Sequence, residues 1–397
     1  MNTRIHEIFP PEQKPEFTLR ADKIKAHLSR IGADAVLLSD NADVYYMSGR
    51  FFRGYVYVAA DRDPLYFVIR PVGLKGDNVV AIRKPEQIAD ELGRLGYPLP
   101  KRLGLQLDSL TWTEAERLRK AFPESECVNG SDAPRQARIT KTDAELQLMR
   151  ADGLHQTECY RRIPGLWRPD MTDIELQAGI EHIMRLEGAL GYTRTAGALM
   201  EINMGSLLHG DNADAPSPYD FSMGGAGTDL TLPVGADGSV IRRGEAVMVD
   251  MTGAFNGYQT DITRVWRVGE ISDLAVKAHE CSRTILRTLE KEAIPGAKVS
   301  DLYHRAAAIV EEQGLSDYFM GHAQKAAFIG HGVGIQLNEP PVLTPRSREI
   351  LQKGMTIAIE PKFVIPGTGA VGVENTYVVT DTGLECLTPF PEEIAEL

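Results

Sequence analysis

At 397 residues the chain exceeds one ordinary domain, and two domains, one of them large, are expected. Its 43% hydrophobic and 25% charged residues are ordinary for a folded globular protein and exclude disorder or a fibrous repeat. A net charge of −12 excludes a general nucleic-acid binder, which needs a basic face to displace counterions. Cys127, Cys159, Cys281 and Cys386 lie far apart with no C-x-x-C pair, so reduced thiols are expected rather than a zinc ribbon or a disulfide framework. The N-terminal stretch has no apolar signal region, and no run nears the roughly 18 apolar residues of a membrane span. The expectation is a cytoplasmic protein with no membrane partner.

In chain order, residues 16–130 alternate strand-like runs (34–39, 54–60, 65–69, 103–107) with helix-like ones (20–31, 85–95, 112–122), the pattern of a small α/β domain. The segment 131–143 holds a proline and little periodicity and is the expected linker. It divides a first domain, 1–135, from a second, 136–397. In the second, two helices (142–162 and 172–190) precede two strands (246–252 and 260–268). The same order then returns, with helices at 272–293 and 300–313 and strands at 355–364 and 371–380, so this domain reads as an internal duplication. Thr172 and Glu175 form a T-x-x-E capping box, and Ser272 and Ser300 are placed to cap the second helix pair.

The chemistry concentrates in the two strand pairs. Asn256-Gly257 is a strong hairpin signal, and a two-residue turn there pairs Phe255 with Tyr258 and Thr252 with Asp261. Asp250 then lies diagonal to Asp261 on one face, about 7–8 Å away at Cα. The second pair repeats the device, with Glu360 and Glu374 set in apolar strands. Buried acids are costly unless compensated. Each alone admits pairing with an arginine or lysine; four together, with His331 among the glycines of G-H-G-V-G, argue for a metal centre. This oxygen-rich set with one imidazole suits two divalent ions, manganese first, with cobalt, zinc or iron as alternatives, acidifying a water between them. Glu360 is the expected general base.

At these residues the chain resembles the creatinase, prolidase and aminopeptidase P family, the pita-bread metallopeptidases. The marks are Asp250 and Asp261 in D-x10-D followed by Thr263-Arg264, the G-H-G-V-G of 330–334, the I-E-P of 359–361 and the V-E-N-T of 373–376. The resemblance spans nearly the whole chain. It implies an α/β fold in which a small N-terminal creatinase-like domain precedes a pseudo-twofold duplicated pita-bread domain. It also implies a ligand set of Asp250, Asp261, His331, Glu360 and Glu374, and a homodimer. Tyr45 to Gly49 look like part of the smaller domain, and Arg50 and Arg53 just after them are candidates to reach a partner's pocket and grip a substrate carboxylate.

Three departures from the family pattern bear on function. Gly210, Asn212, Ala213 and Pro216 match a stretch that ends in a proton-transfer histidine, but Ser217 stands in its place. Asn338 replaces a second substrate-facing histidine, and Gly372 an arginine two residues before the last glutamate. His209 is the candidate to replace the missing proton carrier, while Ser217 and Asn338 are expected to face the substrate. The leading expectation is a dinuclear-metal Xaa-Pro dipeptidase or aminopeptidase acting on short peptides. The alternatives are C–N hydrolysis or lyase chemistry on a small metabolite at the same site, and a non-catalytic peptide-binding module, a use this fold has in a histone chaperone.

Overall fold

The structure, a computed structural model, describes residues 14–70, 73–197 and 200–397. Most of the N-terminal stretch considered above for a signal region lies outside them. The chain divides into two compact units after Arg138.

The first unit is built on a six-stranded sheet in the order β4-β3-β2-β1-β5-β6. Its strands are β1 (Ala35–Leu38), β2 (Arg53–Ala59), β3 (Leu65–Arg70), β4 (Val79–Ala81), β5 (Arg102–Leu105) and β6 (Glu126–Asn129). Helices α1 (Lys14–Leu28), α2 (Asn41–Ser48), α3 (Ile88–Arg94) and α4 (Trp112–Ala121) connect them. Leu37, Phe67, Leu103 and Leu118 lie in its core. Short α2 escaped the periodicity reading because its ends, not its faces, define it. Asp40 accepts from the Ala42 N–H at its start, and Gly49 at φ 66° closes it.

The segment expected to be a linker is instead a helix, α5 (Asp132–Ile139). Pro134 sits in its first turn, where a missing N–H costs nothing, and Ala133 and Ala137, one turn apart, are fully buried.

The second unit contains the expected double pattern. Helices α6 (Asp143–Arg161) and α7 (Asp173–Leu186) open with capping boxes, Thr142 with Glu145 and Thr172 with Glu175. They precede β7 (Gly205–His209), β8 (Ala246–Gly253) and β9 (Thr260–Arg267). Helices α8 (Asp273–Glu292) and α9 (Val299–Glu312) precede β10 (Gly330–Gly332), β11 (Glu339–Val342), β12 (Thr356–Ile359), β13 (Lys362–Ile365), β14 (Gly369–Gly372), β15 (Asn375–Thr380) and β16 (Gly383–Cys386). Ser272 caps α8 as expected. Ser300 does not cap α9, which begins earlier, with Lys298 at the cap position and no side-chain cap.

Three sheets carry the second unit: β17-β9-β8-β7, with β17 at Ala395–Glu396, then β11-β10-β12-β15-β16, and the pair β13-β14. In the first hairpin Thr252 pairs with Asp261 and Asp250 with Thr263, the predicted register. The ladder ends at Gly253 and Thr260 without reaching Phe255 and Tyr258. There the Phe255 N–H donates to Asp152 and the Tyr258 N–H to Asn256. The second hairpin is broken on both strands at its acids. Pro361, which has no N–H, separates β12 from β13, and Val373-Glu374 separates β14 from β15.

Candidate metal centre

The breaks in the second hairpin turn Glu360 and Glu374 toward the first. An isolated bridge joins Thr263 to Glu374, and the buried Arg264 locks the two hairpins together. Its Nη1 donates to the carbonyls of Thr263 and Glu374, each at 2.8 Å. Its Nη2 reaches Asn375 Oδ1 at 2.7 Å. The Thr376 hydroxyl donates to the Asp261 carbonyl and accepts from its N–H. The planar guanidinium is well suited to such a many-stranded clamp.

The five predicted ligands converge as two clusters that share Glu374. One ligand atom each from Asp261, His331 and Glu374 lie within 4.8 Å of one another, and so do those of Asp250, Glu360 and Glu374. His331 is on β10, opposite Ala358 of β12. Its Nδ1 lies 3.2 Å from the Gly332 carbonyl, and its Nε2 is 3.5 Å from Glu360 and 3.8 Å from Asp261. A proton on Nδ1 leaves the Nε2 lone pair facing the carboxylates, the orientation that a metal-binding imidazole needs.

The sequence reading missed Lys362. Its side chain is fully buried, and its ammonium donates to Asp250 at 2.7 Å, Glu360 at 2.8 Å and Glu374 at 2.9 Å. Strand alternation held the signal, since Lys362 is two residues from Glu360 and so on its face. The acids therefore pair with a lysine and also gather, with His331, in clusters that could hold a metal ion. Burial alone would lower the Lys362 pKa, but the charges of Asp250, Glu360 and Glu374 outweigh it and hold the ammonium well above its usual range.

One ammonium leaves the cluster short of positive charge. Burial, then the charges of Glu374 and Asp250, push Asp261 well above the carboxylate range. Asp250 is also raised, by burial against the opposing pull of Lys362. Glu374 Oε2 is engaged by Thr263 and Lys362, while its Oε1 is buried with no hydrogen-bond partner. An orphaned carboxylate oxygen beside an aspartate and an imidazole fits a divalent cation.

Comparison with known proteins decides the family: the metallopeptidase family M24 matches residues 147–381 and the creatinase/prolidase N-terminal domain matches residues 20–140. The chain belongs to metallopeptidase family M24. Among relatives it is 26% identical to an Xaa-Pro dipeptidase of Pyrococcus furiosus, over 94% of this chain and 99% of that one. Among solved structures it resembles an Xaa-Pro dipeptidase from Bacillus anthracis, with a TM-score of 0.77 and 24% identity, covering 96% of this chain and 100% of that one. The X-Pro aminopeptidase from Thermotoga maritima gives 0.76 at 21%, covering 94% and 100%. These likenesses establish the pita-bread fold. Membership of family M24 makes the protein a metal-dependent hydrolase using divalent ions.

The M24 centre forms part of the wall of a cavity of about 530 Å³, which Asp250, Asp261, His331 and Glu360 line together with Phe221, Phe328 and Val342. The loop before β8 contributes Ser222, Met223 and Gly224. Ser217 also lines the cavity, but its hydroxyl donates to the Pro233 carbonyl and accepts from the Tyr219 N–H. Asn338 lines it too, with its amide bound at both ends to the Ala196 backbone. His209 is not among the lining residues, a correction to its candidacy as proton carrier. It is buried, with Nδ1 at 2.8 Å from Glu245 and Nε2 at 2.9 Å from the Ser239 hydroxyl, so both ring nitrogens are spoken for. Arg50 and Arg53 belong to the first unit, by the start of β2. The four cysteines are unpaired; Cys159 and Cys281 are buried and the other two half-buried. Among the described residues, no helix is long and apolar enough to cross a membrane.

Proposed function

We propose that this M24 enzyme is an Xaa-Pro peptidase that hydrolyses the bond before proline in short peptides. Its proposed metal ligands are Asp250, Asp261, His331, Glu360 and Glu374, with manganese the first choice of ion. One observation carries the reading: these five residues cluster, and four of them, Asp250, Asp261, His331 and Glu360, line a cavity large enough for a short peptide. The Xaa-Pro dipeptidase relative supports the substrate class. A cytoplasmic homodimer, in which Arg50 and Arg53 of one protomer grip the substrate carboxylate in the other, completes the proposal.

A divalent ion, when bound, supplies a Lewis acid for the scissile carbonyl and acidifies a water. Glu360 has Oε2 held by Lys362 and Oε1 turned toward His331. It takes the proton of the attacking water and returns it to the leaving nitrogen. Phe221, Phe328 and Val342 give the pyrrolidine ring an apolar wall and reduce the water around the reacting bond. Asn338 secures the loop at Ala196 and shapes the substrate's edge of the cavity, as does Ser217.

A second reading has its own support. The ammonium inside the carboxylate cluster, and the serine and asparagine at positions 217 and 338, favour C–N hydrolysis or lyase chemistry on a small nitrogenous metabolite. A panel of Xaa-Pro dipeptides and tripeptides, run with Mn²⁺ and with chelator alongside small amidines, ureas and cyclic metabolites, separates the two. Metal-dependent release of the N-terminal residue is expected, reduced about 100-fold or more per bound ion in Glu360→Gln. Turnover confined to the small metabolites would overturn the peptidase assignment.

A further inference from the structure

We propose that Lys362 is a resident cation. Its ammonium occupies the place of one divalent ion in the cluster of Asp250, Glu360 and Glu374, and the chain loads a single ion, at Asp261, His331 and Glu374. This rests on the ligand assignment proposed above and amends its expectation of two ions.

The first argument is saturation. An ammonium has three N–H donors, and three carboxylates meet it at 2.7–2.9 Å, each at the length of a charge-assisted hydrogen bond. A fourth, longer contact of 3.2 Å runs to the Ser222 hydroxyl. A divalent ion bonded to the same oxygens at about 2.0–2.2 Å would need the space that Nζ fills.

The second argument is charge. Asp250, Asp261, Glu360 and Glu374 supply four carboxylates. One divalent ion and one ammonium set three positive charges against these four, so with the lysine in place a single ion already offsets all but one of the acids and a second would reverse the sign of the site. The third is the distribution of hydrogen-bond partners over the two clusters. Glu374, which clusters with Asp261 and His331, keeps a buried oxygen without a hydrogen-bond partner, while Lys362 donates to Asp250 and Glu360.

The strand that carries the lysine lies close against its neighbour. Lys362 on β13 is the direct antiparallel partner of Gly372 on β14. A Cβ at position 372 would stand 2.9 Å from the Lys362 Cα and 3.3 Å from its Cγ. The nearest atom of all is the Pro361 carbonyl oxygen, at 2.7 Å, so the glycine is needed first for the close approach of the two backbones, and it leaves the lysine stem clear as well. Lys362 is a positioning residue: it fixes Glu360 and Asp250, and all three of its donors are committed to carboxylates.

The test is metal stoichiometry on the full-length chain. Protein stripped with chelator is reloaded with Mn²⁺, desalted, and measured by atomic emission and by electron paramagnetic resonance, in wild type and in Lys362→Ala. One Mn²⁺ per chain with the spectrum of an isolated ion is expected for wild type. Two, with the spectrum of a spin-coupled pair, are expected for the variant. A coupled pair in wild type overturns the proposal while leaving the ligand assignment standing. One ion in both proteins also overturns it, because the lysine then does not set the number. No Mn²⁺ in either refutes the ligand assignment, and the proposal with it. Should Lys362→Ala fail to fold, the wild-type spectrum decides alone, isolated ion against coupled pair.

Discussion

Asp152 shows how a single buried acid supports the centre from outside it. It lies on α6, fully buried, and holds the turn of the first hairpin through the Phe255 N–H at 2.6 Å and the Thr260 hydroxyl at 2.8 Å. The same Thr260 hydroxyl stands 2.8 Å from the Gln156 carbonyl oxygen, and one hydroxyl proton cannot serve both acceptors. A proton on Asp152 resolves the conflict by donating to Thr260, which then donates to Gln156. Burial pushes the Asp152 carboxyl up to about 7, against an ordinary 3.8. Because the folded value is raised, its contribution to stability is complete below pH 3.8 and is lost as pH rises through 7. Asp152→Asn, whose amide donates permanently, should flatten the decline in stability between pH 5 and pH 8, gaining about 1–3 kcal/mol at the upper end. Urea unfolding across that range measures it; parallel pH profiles for wild type and variant would contradict the protonated-acid reading. The four acids were legible as a set, because several acids in apolar strands together violate a burial rule, and His331 by its place among the glycines of G-H-G-V-G. Lys362 was missed because the alternation that puts it on the face of Glu360 was followed for the acids alone. His209 misled because its position in the sequence, beside a matched motif, carried no information about which face of β7 it occupies.

At the scale of elements, the paired hairpins were legible from turn chemistry and alternation. The register that sets Thr252 against Asp261 followed from Asn256-Gly257. What escaped the sequence is the division of each strand in the second hairpin, since alternation continues through residues 355–364 and carries no mark of a change of sheet except Pro361. The close approach of β13 and β14 makes a prediction. Gly372 has φ of 145°, and a Cβ there would lie 2.7 Å from the Pro361 carbonyl oxygen. Gly372→Ala should therefore destabilise the protein by about 1–3 kcal/mol, and the displaced strand should also weaken Mn²⁺ retention. Denaturant titration with and without the ion checks both effects. Unchanged stability would show that the two strands have more room than their backbones indicate.

At the scale of the whole molecule, the double helix-helix-strand-strand order was legible because helices and strands differ in period. The boundary segment was not, since eight residues with a proline in the first turn give too short a span for periodicity to speak. The second unit, by itself, holds both carboxylate clusters and every lining residue of the cavity described above. Its two hairpins meet through Arg264 and the Thr263–Glu374 bridge, and each half of the duplication supplies acids to the clusters. A divalent cation where the halves meet is the central claim. The most direct measurement is an anomalous difference map, recorded at the manganese edge, from crystals of the full chain grown with Mn²⁺. The predicted result is a strong peak bounded by Asp261, His331 and Glu374; a map with no peak among those side chains would contradict the account.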